Sequence, residues 1–186
     1  MKKKIIVVTG LPGSGKSEVS REIKRRRIPT FVTGNIIKEE VSRQGLDLTI
    51  ESSEYIAREM RKEYGPDAPI RLIEHMIESA KGNIVCVDGP RNIKELELLK
   101  EHGDIYLIVV ESAKKLRYTR LRKRGGTRDP DGWDHFLWRD RKELERGMRS
   151  LLRTKRFRRY ILKNTGTVSD LRSRLARIIK SINSDH

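Results

Sequence analysis

Apolar residues along this chain fall into two patterns. Short unbroken blocks appear in KKIIVVTG, PTFVTG, NIVCVD, DIYLIVV and RYILKN, each rich in β-branched or aromatic residues and bounded by glycine, proline, asparagine or charge. Their length and composition predict five strands, the last the weakest. Between them, apolar positions recur at helical spacing. Residues 17–27 predict a helix that stops before Pro29, and residues 93–101, 113–123, 134–155 and 169–182 predict four more. The last carries apolar residues at 171, 175, 178, 179 and 182. Residues 35–81 read as largely helical, punctuated at Gly45, at the capping-box-like TIES that starts at Thr49, and at GPDAP. GGTRDPDG, from Gly125, reads as a loop.

Strands alternating with helices imply an α/β fold, a parallel sheet covered on both faces. Its 186 residues suit a single domain. Two stretches are longer than a crossover requires, residues 34–81 and 125–155, and such insertions at the strand ends of a parallel sheet are where substrate subdomains and lids sit.

The first block runs directly into chemistry. Gly10, Leu11, Pro12, Gly13, Ser14, Gly15, Lys16 and Ser17 match G-x-x-x-x-G-K-[ST] in full, between a predicted strand and a predicted helix. The glycines let backbone N–H groups turn inward onto phosphate oxygens, and the helix adds its positive dipole end. Lys16 reaches the β and γ phosphates, and Ser17 offers a hydroxyl to magnesium. The sequence therefore predicts a nucleoside-triphosphate site, with ATP and Mg2+ as cofactors, on a three-layer P-loop sandwich with a five-stranded parallel sheet. A second candidate lies in VDGPRN, where Asp88 ends the third strand in position to hold magnesium or its waters, and Arg91 follows just beyond. Asp, Gly and Pro are also ordinary turn residues there.

Charge enlarges the question. The net charge is +16, and 37% of residues are charged against 35% hydrophobic, which favours anionic partners or reflects ion-pair networks built for heat. The single cysteine, Cys86, lies in the apolar run IVCV, so a buried strand thiol in a reducing, cytoplasmic setting is expected. The four histidines show no metal-ligand spacing. The apolar run after MKKK ends in TGLPGSGK, too short for an export signal or a membrane span.

With these residues in view, the chain resembles the adenylate kinases, and most of all the archaeal adenylate-kinase-like P-loop proteins that stand beside the nucleoside-monophosphate and dephospho-coenzyme A kinases. DGPR is similar to the DG-x-P-R segment of adenylate kinases, shortened by one residue. FVTGNIIKEE, from Phe31, is similar to the segment after their second strand. RDRKELERG, from Arg139 to Gly147, follows the archaeal RD-x-x-EL-x-x-G pattern. The resemblance implies a helical acceptor-binding insertion at 34–81 and a lid at 125–155. It places Thr33, Gly34, Lys38, Gly89 and Arg91 on the acceptor, and Arg120 and Arg124 on the ATP side leading into the lid. Arg124, Arg128 and Arg139 would close over the transferring phosphoryl group with Lys16 and Arg91. Asn35 and Lys38 stand where the family has aspartate and arginine, so a bidentate phosphate clamp becomes a point charge. The implied reaction is in-line transfer of the γ-phosphoryl of Mg-ATP to a nucleoside monophosphate or a similar small nucleotide.

One feature exceeds that engine. The run that opens at Arg146 and closes at Lys163 holds eight Lys or Arg and no acid, with Phe157 and Tyr160 among them. It suits a solvated face, a surface that steers anionic substrates, or a contact with RNA or DNA backbone. The last would make the protein an ATPase or kinase that works on or with nucleic acid, such as a ribosome-assembly factor or a polynucleotide kinase. Trp133 and Trp138, in the expected lid, would pack it closed or stack on a base.

Overall fold

β1 (Lys3–Thr9) occupies the middle of a five-stranded sheet because its apolar residues have buried neighbours on both faces. In the computed structural model, which describes residues 2–65, 67–126 and 129–185, β1 pairs in parallel with β3 (Ile84–Asp88) on one side and β4 (Gly103–Glu111) on the other. β2 (Thr30–Val32) and β5 (Arg158–Lys163) take the two edges, giving the order β2-β3-β1-β4-β5 with every neighbouring pair parallel. All five predicted strands are present. The short β2 and the cation-rich β5 are the kinds of strand that discourage further pairing at an edge.

Alternation along the strands builds two separate cores. Ile5 and Val7 of β1 and Leu107 of β4 point to one face, covered by α4 (Ala68–Ser79), α5 (Ile93–His102) and α8 (Arg149–Arg153). Ile6 and Val8 of β1 and Ile108 of β4 point to the other, covered by α1 (Lys16–Arg25) and α9 (Val168–Asn183). Cys86 is buried in this second core, where the apolar surroundings push its thiol far above the usual range, as a structural cysteine requires. The stretch after β2 forms α2 (Thr33–Arg43) and α3 (Ile50–Tyr64), which with α4 enclose a small core of Val41, Ile56, Met60 and Ala68. The expected capping box closes α3 through Thr49 and Ser52.

α6 (Lys114–Arg124) follows β4, and the helix expected over 134–155 is broken in two. α7 (Trp133–Glu143) runs into a π turn at Leu144–Met148 before α8 resumes. The break is at Gly147, with φ 112, where a Cβ would stand 2.8 Å from Asn92 Cβ and 3.1 Å from the Arg91 carbonyl. A regular helix carrying a side chain there would collide with the turn after β3, so the helix yields where glycine permits it. Among the described residues, no helix is long and apolar enough to cross a membrane.

Candidate functional site

β1 ends at Thr9, and the chain then loops through residues 10–15 into α1, so the first N–H groups of α1 face the crevice at the carboxyl ends of the strands. The loop holds its shape internally through a Ser14 N–H bond to the Leu11 carbonyl (3.1 Å). It is also pressed from outside. A Cβ on Gly15, which has φ 102, would come within 2.1 Å of Asn164 Nδ2, the atom that donates to the Ser14 carbonyl at 2.8 Å. Asn164 itself follows β5 and is tied to the end of β4, donating its N–H to Glu111 and accepting at its carbonyl from Ser112 Oγ (2.7 Å). Arg120 closes this side, with bonds to Ser112 Oγ (3.0 Å) and the Asn164 carbonyl (3.2 Å). Beside it lies a cavity of about 460 Å3 between Leu11, Ser14, Val110, Arg117, Leu152 and Lys163, with the Ser14 hydroxyl buried at its wall and without a hydrogen-bond partner among the described residues.

Lys16 folds over the loop and donates to the Gly10 carbonyl (2.5 Å). Burial lowers its pKa to about 8; the charges of Arg91 and Arg117 act in the same direction, while Asp88 and Glu143 oppose them. Asp88, at the end of β3, is buried and accepts from Ser20 Oγ at 2.6 Å; burial raises its pKa, with Ser20 and Lys16 pulling the other way. Ser17 is exposed at the start of α1. No group of three or more acidic, histidine or cysteine side chains able to hold a metal occurs among the described residues. Ser17 and Asp88 offer one hydroxyl and one carboxylate, oxygen donors of the kind magnesium takes alongside phosphate oxygens and water.

On the opposite side, Thr33 is buried at the start of α2 with Oγ1 donating to the Asp88 carbonyl (3.3 Å), and it packs against Gly89. Gly34 and Lys38 are exposed on the same helix, and a Cβ on Gly34 would meet nothing within 4 Å. Arg91 is fixed at both ends. Its N–H donates to Glu95 Oε2 (2.7 Å), while its guanidinium lies 3.4 Å from Glu143 on α7. The turn that carries it is anchored by Thr9 Oγ1 donating to the Pro90 carbonyl (3.1 Å).

Two of the expected lid arginines, Arg124 and Arg139, act on one carboxylate, that of Asp129. Arg124 pairs with Asp129, whose carboxylate it holds below the usual range together with the Gly126 N–H and the charge of Arg139. Arg139 is half-buried on α7. Arg128 lies outside the described residues. Four contributors escaped the reading of the sequence: Arg117, Asp140, Glu143 and Asn164. Arg117 donates to both carboxylate oxygens of Asp140 (2.6 and 2.5 Å) and to the Pro12 carbonyl (3.1 Å), with Phe136 under its guanidinium at 5.0 Å. One stripe of α7, made of Phe136, Asp140 and Glu143, therefore grips α6 behind the phosphate loop and the arginine after β3. Three of the four sit inside motifs already singled out by their neighbours, RDRKELERG and RYILKN, but side-chain direction shows only in three dimensions.

A family model described as an AAA domain matches residues 6–144. A UPF0200 protein of Pyrococcus abyssi is 38% identical over 149 residues, covering 77% of this chain and 80% of its own. The chain belongs to the UPF0200 family. A UPF0200 protein of Staphylothermus marinus is 33% identical over 182 residues, 98% of this chain and 94% of its own. Among solved structures, TT1252 from Thermus thermophilus superposes on this UPF0200 protein with a TM-score of 0.67 at 19% identity, covering 97% of this chain and 98% of that one. Shikimate kinase from Acinetobacter baumannii in complex with shikimate gives 0.60 at 18%, covering 100% and 97%. The fold is that of the P-loop kinases.

Proposed function

We propose that this UPF0200 protein transfers the γ-phosphoryl group of Mg-ATP to a nucleoside monophosphate or a similarly small nucleotide. The observation that carries the reading is the meeting of Lys16, Asp88 and Arg91 at one mouth, with Arg91 held by a separate element from the phosphate loop. One cation serves the donor phosphates and a second, reached from the other side of the crevice, serves the acceptor.

In this reading the loop N–H groups and Lys16 hold the β and γ phosphates, and Arg120 with the turn at Asn164 borders the rest of the donor nucleotide. Ser17, with Asp88 through water, would hold magnesium, which would neutralise charge on the phosphates. Thr33, Gly34, Lys38 and Gly89 border the acceptor, and Arg91 takes its phosphate. Arg124, at the end of α6, leads into the lid at 125–155, which carries Arg139 and excludes water from the transfer. A phosphate acceptor needs no strong base. A hydroxyl acceptor would call on a carboxylate, and burial already favours the protonated form of Asp88.

The test uses ATP labelled on its γ-phosphate with magnesium, offering AMP, other monophosphates, dephospho-coenzyme A and a structured RNA in separate reactions. Label on a small nucleotide is the expected result. Label only on RNA, or only as free phosphate, would overturn the reading.

A further inference from the structure

The basic run from 146 to 163 loses its case for base stacking once folded. Phe157 packs against the core under α8, and Tyr160 packs against the core under α9. Several of its cations are already engaged by acids, Arg146 by Glu54, Arg156 by Glu97 and Arg158 by Asp185. The combination the run lacks, an open aromatic ring among uncompensated cations, occurs on α6 instead. Seven of its eleven residues are Lys or Arg and none is acidic. Arg117 and Arg120 turn inward to the phosphate loop, which leaves Lys115, Tyr118, Thr119 and Arg122 at helical spacing on the outer face.

That face borders a shallow groove of about 370 Å3, lined by Lys115, Tyr118, Thr119 and Trp133. Trp133 is 38% exposed yet rigidly held: its ring stacks on Phe136 (centroids 5.2 Å apart) and takes Tyr118 edge-on at 5.1 Å. Lys114, Lys115 and Lys123 are exposed and, among the described residues, form no ion pair. The Arg122 guanidinium meets the carbonyls of Pro130 and Asp131, which orient it without neutralising it. Acids lie nearby as well: Asp129 pairs with Arg124 at the end of α6, Asp131 lies 3.7 Å from His135, and Asp134 follows Trp133 in sequence.

We propose that this outer face of α6 binds single-stranded nucleic acid, with one unpaired base stacked on Trp133 and backbone phosphates on Lys114, Lys115, Arg122 and Lys123. A packed ring beside exposed cations is the arrangement that reads an unpaired strand without regard to sequence. A duplex hides its ring faces from such a slot, and a membrane surface calls for more exposed apolar area than one indole supplies. The proposal does not depend on the acceptor of the kinase reaction, since the groove shares no lining residue with the cavity beside the phosphate loop.

The test is fluorescence anisotropy with a short unstructured oligouridylate at several salt concentrations and without ATP. Trp138, 56% exposed, is first replaced by Phe so that Trp133 becomes the only tryptophan reporter. Binding is expected to quench Trp133, to weaken at least about fivefold in Trp133→Leu, the loss of one stacked base, and to weaken in Lys115→Ala/Lys123→Ala. The lysine pair lies on the surface, so it tests the proposal even where Trp133→Leu does not fold. Its logarithmic salt slope should be shallower by roughly 1.4, from two lost phosphate contacts on a single strand. Absence of binding at low salt overturns the proposal. So does loss of binding in Arg153→Ala/Lys155→Ala with the α6 pair unaffected, or equal Trp133-dependent binding of duplex or anionic phospholipid vesicles.

Discussion

Arg117 and Asp140 meet through two hydrogen bonds with their side chains 3% and 6% exposed, and the same guanidinium holds the Pro12 carbonyl. The pair joins α6 to α7 and both to the phosphate loop. Removing Asp140 alone leaves a cation buried without its anion, which costs about 3–5 kcal/mol. Asp140→Ala should therefore lower stability to urea by that amount. The double substitution Arg117→Met/Asp140→Leu should recover most of it, because apolar side chains of similar size need no partner. ATP binding should stay weakened in the double variant, since nothing then holds Pro12. A single substitution that costs less than about 1 kcal/mol would mean the pair behaves like one at the surface.

Lys16 carries a pH prediction. Its pKa is lowered to about 8 with burial as the main cause, so the free protein holds Lys16 charged below pH 8 and loses that charge as pH rises through it. A bound triphosphate favours the charged form and raises the pKa in the complex. Binding then takes up a proton between the two values, and affinity falls as pH climbs above 8. Calorimetric titrations of ATP in buffers of different ionisation enthalpy, around pH 8 to 9, should detect this uptake in the natural protein and lose it in Lys16→Met. Lys16→Ala should abolish transfer. An affinity independent of pH across that range would place Lys16 away from the phosphates.

How much of this was open to a reader of the sequence divides by physical range. β-branched runs and helical spacing are local, so the five strands, most helices and the phosphate loop could be located before any fold was known. The broken helix was not. Gly147 looks like an ordinary interruption until the Arg91–Asn92 turn arrives from 55 residues away to occupy its missing Cβ. Arg117 was concealed for the same reason. In a helix with seven cations, nothing local separates the one that will be buried against Asp140 from those that stay in water. Asn164 read as the last residue of a weak strand, whereas its amide braces the phosphate loop across 150 residues.

Arg91 and Glu143 give a way to separate donor from acceptor. Their 3.4 Å contact joins the turn after β3 to α7 at a guanidinium that is more than half exposed, so it is available to an incoming phosphate. Arg91→Ala should lower kcat/KM for the acceptor about 10- to 100-fold, the loss of a charge-assisted hydrogen bond, while ATP affinity changes little. Glu143→Gln releases Arg91 without removing it, so it should alter the acceptor KM more than ATP affinity, which it reaches only through the charge felt by Lys16. Loss of ATP binding in Arg91→Ala would reverse the assignment of the two sites.

Two glycines on the proposed acceptor side, Gly147 beside the Arg91 turn and Gly34 on α2, should respond in opposite ways. Gly147→Ala forces a side chain into the Arg91–Asn92 turn at a backbone angle that L residues rarely adopt, and should cost about 1–3 kcal/mol. The strain falls on the turn that carries Arg91, so acceptor use should drop by more than ATP binding does. Gly34→Ala adds a Cβ that meets nothing, on a helix that gains from alanine, so stability should hold or rise by about 1 kcal/mol. If Gly34 borders the acceptor as proposed, its added methyl should still raise the acceptor KM. Urea unfolding and acceptor kinetics on both variants distinguish the cases. A Gly34→Ala protein with unchanged stability and unchanged KM would remove Gly34 from the acceptor site and leave Arg91 as its main determinant.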